Sequence, residues 1–421
     1  MKLYIDPGTG SMLFTVLIGV LGALVYAFRN VLMKAKFTLT GGKKVKDSNH
    51  EYPYVFFSDG KQYWNVFKPI CDEMEKRGQK VLYLTAAEDD PALSENYQYI
   101  RTDFAGNGNR AFARMNMISA DIVLSSTPGL DVYQWKRSRN VKWYVHIPHG
   151  IYDLTAYRMF GLDYYDAVLL AAEFQERAVR QLEKRWDLPP KEMPVVGMTY
   201  MDTMLTRLQA DREKEEQVPL PGGNGIITVL LASSWGASSL LARYGDRIFD
   251  ALLKTDYRII VRPHPQSFTS EKEMIDRLME KYPESDRLTW NRDSDNYHSL
   301  KQADLLIADF SGIIIDCAFV FEKPVIYADI SFDKAPYDAY WVDEPMWRFE
   351  VLKKIGVQLS GENVEKIGEL IEQSIISTEI KENIKAAREE AWSCIGNSAN
   401  NVADYLMLTR ERLNDPIPSQ K

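Results

Sequence analysis

Short apolar runs rich in β-branched and aromatic residues recur along the chain, separated by longer segments of helical period. They are YVFFS (54–58), VLYLT (81–85), DIVLSS (121–126), KWYVHI (142–147), AVLLAA (167–172) and PVVGM (194–198). This alternation constrains the fold more than any other feature, because parallel strands need crossover connections, which helices supply. The intervening pieces, such as Gln62 to Arg77 and Glu173 to Trp186, are charged on one face and apolar on the other, as helices lying on a sheet should be. Residues 207–225, RLQADREKEEQVPLPGGNG, lack apolar periodicity and end in Pro and Gly, which reads as a linker. A second series follows: IITVLLA (226–232), YRIIVRP (257–263), DLLIAD (304–309) and PVIYAD (324–329), then long helical stretches after 361.

The expectation is an α/β protein of two tandem Rossmann-like domains, 50–206 and 226–412, in 421 residues of which 45% are apolar. A last helix from about Glu379 to Arg412 is free to pack back across the junction. Ligands of such folds sit at the carboxyl ends of the strands, here across the interdomain cleft. The 51 Lys and Arg against 59 Asp and Glu give a net charge of −8, which argues against a general nucleic-acid binder. Cys71, Cys317 and Cys394 are widely separated, without CxxC or a Cys/His cluster, so neither a disulfide framework nor a zinc site is supported and no metal is expected.

The N-terminus departs from this pattern. From Met12 to Phe28 the chain is uncharged, with Thr15 its one appreciably polar side chain, marginal in length for the roughly 30 Å hydrocarbon layer. Arg29, Lys34, Lys36, Lys43, Lys44 and Lys46 follow it. Residues 1–33 are therefore expected to anchor the protein at the cell membrane, spanning it or lying on its surface, with the bulk of the chain in the cytoplasm.

Candidate chemistry clusters at strand ends. In HIPHG (146–150), His146 falls inside a strand, whereas His149 lies beyond its end beside Pro148 and Gly150, where a neutral imidazole suits a general base. In RPHPQ (262–266), Pro263 and Pro265 flank His264 and fix its backbone, and Arg262 offers a planar donor fork to a phosphate. A third apolar strand ends at Asp309, Ser311 can cap the next helix, and Gly312 leaves its N-terminus open to an oxyanion. Asp316, two helical turns after Asp309, could accept from ribose hydroxyls. Ser234 and Trp235, in LLASSWG, form a weaker candidate donor patch. The EDD at 88–90 reads as a solvated loop.

Taken together, the HG after one strand, the RPHP after another and DLLIADFSGIIIDCAFVFEKPVIYAD (304–329) resemble the CDP-glycerol glycerophosphotransferase family of teichoic-acid synthesis. The resemblance implies a GT-B-like architecture, CDP-glycerol or a related CDP-polyol as donor with no further cofactor, and a lipid-linked glycan or polyol-phosphate acceptor. It implies His149 as base and His264 at the donor phosphates; their places at strand ends put Arg262, Asp309, Ser311 and Gly312 with the donor and His146 and Gly150 on the acceptor side. The family's DYSS stands here as DFSG, so Asp309 and Ser311 match while Phe310 and Gly312 depart. A nucleotide-sugar glycosyltransferase or epimerase on the same frame, and a membrane-tethered scaffold without turnover, stay open as alternatives.

Overall fold

The computed structural model describes residues 52–217, 225–293, 295–329 and 332–415. Two six-stranded sheets organise it, each wholly parallel. The first contains β1 (Tyr54–Ser58), β2 (Val81–Thr85), β3 (Ile100–Phe104), β4 (Ala120–Ser125), β5 (Val141–His146) and β6 (Ala167–Val168). The second contains β7 (Thr228–Ser233), β8 (Arg258–Pro263), β9 (Leu288–Trp290), β10 (Leu305–Ala308), β11 (Val325–Ala328) and β12 (Gly356–Leu359). The first runs β3-β2-β1-β4-β5-β6, and the second runs β12-β11-β10-β7-β8-β9, the same order taken from its other end. Each sheet therefore has a topological switch point, between β1 and β4 and between β7 and β10, where loops diverge and open a crevice.

The central strands are buried end to end, as expected of parallel strands covered on both faces. The first sheet packs Tyr54, Phe56 and Tyr83 on one face and Val55, Phe57 and Trp135 on the other. The second does the same with Leu230 and Leu306 against Leu231 and Ile307.

Several sequence expectations are corrected here. Residues 207–217 are the second half of a helix, Thr199–Gln217, whose Met201, Met204 and Leu208 enter the core of the second sheet. The residues around 194–198 make isolated bridges, Ala167 with Glu192 and Leu170 with Val195, without becoming a strand. The predicted helix from Glu379 to Arg412 is two, Thr378–Ala391 and Ser398–Asn414, parted by a turn in which Cys394 has a positive φ of 55°. The second of these packs on the first sheet: Val402, Ala403 and Leu406 join the core around Tyr54, and Arg410 Nε meets Asp121 Oδ2 at 2.9 Å. The EDD segment is a capped turn, with Asp90 Oδ1 accepting from the Ala92 amide and Asp89 paired with Lys61.

Among the described residues no helix is long and apolar enough to cross a membrane. The apolar run 12–28 lies outside the described residues.

Candidate functional site

The carboxyl ends of both sheets open onto one cleft of about 630 Å3. From the first half it is lined by Tyr63, beyond β1, and by His149, Gly150, Tyr152 and Tyr157, beyond β5. From the second half come Ser233 at the end of β7, Arg262 and His264 at and beyond the end of β8, Ser311 and Gly312 beyond β10, and Asp316.

His146, at the last position of β5, is fully buried. Its Nε2 lies 2.9 Å from the Tyr157 hydroxyl, which lies 2.6 Å from the Tyr152 hydroxyl, which lies 3.2 Å from Nδ1 of His149. Gln175 holds this loop by donating to the Tyr152 carbonyl at 2.9 Å and accepting from the Ala171 amide at 2.7 Å. His149 is half-buried at the cleft floor, and burial lowers its pKa to about 4. Burial, then the neighbouring His149, lowers that of His146 to about 3. Both imidazoles are therefore neutral near pH 7.

His264 is held by its amide, which donates to the Ser233 carbonyl at 3.0 Å, and its Nδ1 accepts from the Gln266 amide at 3.1 Å. An accepting Nδ1 puts the ring proton on Nε2 in the neutral form. Burial lowers its pKa, with Asp309 opposing the shift. Arg262 is buried beside the cleft and donates one Nη1 bond to Asn291 Oδ1.

After β10 the chain makes one α-helical turn, Ile313–Ile315, and then a π-helical turn, Asp316–Val320. Ser311 does not cap this helix with its side chain, contrary to expectation, because Gly312 occupies the cap position. The Ser311 amide instead donates to Asp309 Oδ1 at 3.1 Å, and its carbonyl accepts from Ile314 at 3.2 Å. A Cβ built on Gly312 would meet no atom within 4 Å, so the cleft is open above this turn. Asp316 starts the π turn. Its Oδ2 accepts from Asn296 Nδ2 at 3.0 Å and lies 3.1 Å from the Tyr200 hydroxyl. Burial raises its pKa to about 6 in spite of those bonds.

Three expected donor-side residues stand apart from the cleft. Asp309 is buried, and its Oδ2 accepts from the Ser234 amide at 2.8 Å, the Ser234 hydroxyl at 2.7 Å and the Leu240 amide at 3.1 Å. It therefore ties the β7 and β10 loops together across the switch point. Ser234 is consumed in that tie, and Trp235 is 53% exposed outside the lining.

Sequence reasoning missed Tyr152, Tyr157 and Arg348. Arg348 lines the cleft from the start of helix Trp347–Ile355. Its guanidinium lies 6.0 Å from the Tyr152 ring centroid, and among the described residues it has no carboxylate within ion-pair distance. Asp153 places it: the carboxylate crosses from the first half to accept from the Trp347 amide at 2.7 Å and the Arg348 amide at 3.0 Å.

Two parallel sheets of one strand order, their carboxyl ends turned to a shared cleft lined by histidines and guanidinium groups, make a GT-B-like architecture. The chain belongs to the CDP-Glycerol:Poly(glycerophosphate) glycerophosphotransferase family, whose model matches residues 44–341. It is accordingly a transferase of that kind, as the sequence resemblance implied. No curated protein matches it. Among solved structures, the wall teichoic acid polymerase TagF is 15% identical, with a TM-score of 0.55 over 93% of this chain and 99% of that one. A TagF variant soaked with CDPG gives 0.56 at the same identity and coverage. The UDP-GlcNAc 2-epimerase of Methanocaldococcus jannaschii, in complex with UDP-GlcNAc and UDP, is 14% identical, with a TM-score of 0.55 over 84% of this chain and 99% of that one. At these identities the likeness is one of fold.

Proposed function

We propose that the chain transfers glycerol phosphate, or a related polyol phosphate, from a CDP-activated donor to a hydroxyl of a lipid-linked cell-wall polymer, releasing CMP. The observation that carries this reading is the single cleft onto which His149 opens from one sheet while Arg262, His264 and Ser311 open from the other. His149, neutral near pH 7, takes the proton of the acceptor hydroxyl at Nε2 as that oxygen attacks the phosphorus bearing the polyol. The acceptor O–P bond forms, the bond from that phosphorus to the bridging oxygen breaks, and CMP leaves with the electron pair. His264, through Nε2–H, joins Arg262 and Arg348 in stabilising charge on the pyrophosphate, so that positioning and electrostatics supply most of the acceleration. Asp316 faces the ribose hydroxyls, and residues 12–28 hold the enzyme at the membrane where its acceptor lies.

The test is CMP release from CDP-glycerol in membranes containing the protein. His149→Ala should leave donor binding nearly intact and slow release by roughly 10²–10⁴, the usual worth of a positioned base. Release at the wild-type rate would remove His149 from the chemistry. Parallel trials with CDP-ribitol and UDP-sugars separate the polyol-phosphate reading from the glycosyltransferase and epimerase readings.

A further inference from the structure

The three contacts that join His146, Tyr157, Tyr152 and His149 have a definite proton count. Each link needs one hydrogen, and the two phenols supply two. With both imidazoles neutral, the third must come from a ring nitrogen, either His146 Nε2–H or His149 Nδ1–H. If neither is protonated, one link is left empty; if both are, two hydrogens crowd one link. Each arrangement therefore fixes both tautomers. When His149 carries its proton on Nδ1, its Nε2 is left as a lone pair and His146 carries its proton on Nδ1. When His146 donates from Nε2, the chain runs the other way and His149 presents Nε2–H.

We propose that His146, Tyr157 and Tyr152 form a hydrogen-bond relay that sets which ring nitrogen of His149 is protonated, and so act as positioning residues for the proton acceptor. The proposal rests on the reading of His149 as the base. Neither imidazole has a carboxylate hydrogen-bond partner among the described residues, so the orienting task that an acid performs in a Ser-His-Asp triad falls here to two phenols and a second imidazole. His146 Nδ1 is buried without a hydrogen-bond partner, an unsatisfied N–H in the base arrangement and an unsatisfied lone pair in the reverse, so the far end by itself leans toward the reverse. The cleft ligand decides. An acceptor hydroxyl donating to His149 Nε2 selects the base tautomer, and a phosphate oxygen accepting from Nε2–H selects the reverse. In turnover the hydroxyl proton ends on His149 Nε2, the Nδ1–H bond to Tyr152 persists, and the proton passes to water once product leaves. The other groups facing the relay are Tyr63, 4.9 Å from His149 between ring centroids, Tyr165, 5.1 Å from His146, Arg348 over Tyr152, and Asp59, whose charge acts on Tyr63 and Tyr165.

The experiment is ¹⁵N NMR of histidine-labelled protein with steady-state kinetics on wild type, Tyr157→Phe and Tyr152→Phe, melting curves confirming that each variant is folded. In the wild type, His146 Nε2 and His149 Nδ1 should always be of opposite type, one protonated and one not. Either phenol deletion should uncouple them and lower kcat about tenfold or more while leaving the donor KM unchanged, a split that a merely structural role would not produce. Facing nitrogens of the same type in the wild type, or kcat within about twofold of wild type in both folded variants, would overturn the relay. The two readings fail distinguishably: an inactive His149→Ala with uncoupled tautomers sinks the relay alone, whereas an active His149→Ala with coupled tautomers sinks the base and with it the positioning role, leaving only a coupled pair of imidazoles.

Discussion

Arg348 shows how a single side chain is brought to the cleft by a residue far from it in the chain. A carboxylate at a helix start stabilises the first amides and favours the helix dipole, and the acid that performs this for helix Trp347–Ile355 is Asp153, from the other half. Burial lowers the Arg348 pKa, and a guanidinium keeps its charge in proteins all the same. Arg348→Ala should weaken CDP-glycerol binding about 10- to 100-fold, the range for a charge-assisted contact to phosphate, and Arg348→Lys should recover little of it because the ammonium lacks the planar fork. Equilibrium binding by calorimetry checks this; wild-type affinity in Arg348→Ala would place the phosphates elsewhere. His149 and His264 were legible in the sequence because each stands beside Pro or Gly just beyond an apolar run. Arg348 and Tyr157 were not, since nothing local to WRFEV or LTAYR marks a cleft. Ser234 and Trp235 misled for the opposite reason: their place at a strand end was right, but Asp309 had already engaged the serine and the indole turned outward.

At the scale of elements, the strands that sequence reading missed or overextended lie at sheet edges. β3, β6, β9 and β12 are the outermost strands of the two sheets. An edge strand pairs on one side only and tolerates mixed composition, as IRTDF and GVQL show. The helix taken for a linker failed differently, because its apolar positions end at Leu208 and the remainder is charged. A second element joins the halves beside the cleft: the Met159 amide bonds the Pro336 carbonyl, and Asp338 accepts from the Phe160 amide at 2.8 Å and the Gly161 amide at 3.3 Å. Burial, with Asp163 adding to it, raises the Asp338 pKa to about 7. A carboxyl whose folded pKa lies above its unfolded value near 3.9 lends stability at low pH and loses it as pH rises through about 7. Wild type should therefore lose up to about 4 kcal/mol between pH 4 and pH 8 relative to Asp338→Asn. Denaturant melts of both proteins across that range test it, and parallel pH profiles would show that Asp338 does not titrate in this way.

At the scale of the whole molecule, the two halves are joined by more than one crossing of the chain. Helix Thr199–Gln217 leaves the first half and buries Met201 and Met204 in the second, while helix Ser398–Asn414 returns to cover the first sheet. Removing residues 398–421 would strip Val402 and Leu406 from the core around Tyr54, at about 2 kcal/mol for each large side chain, and would break the Arg77–Asp404 and Arg410–Asp121 pairs. Hydrogen exchange on that truncation should show lost protection in β1 and β4 with β7 and β10 little changed; equal loss in both sheets would mean that the halves unfold as one unit. The return of that helix also orders events during synthesis. Domains commonly fold as they leave the ribosome, the N-terminal one first. Here the earlier-made sheet lacks part of its cover until residue 414 has been translated, so the later-made half can complete its core in almost the same interval. The nascent first half must therefore carry an exposed apolar face through about half of translation, and a chaperone that binds such faces would find its longest-lived target there.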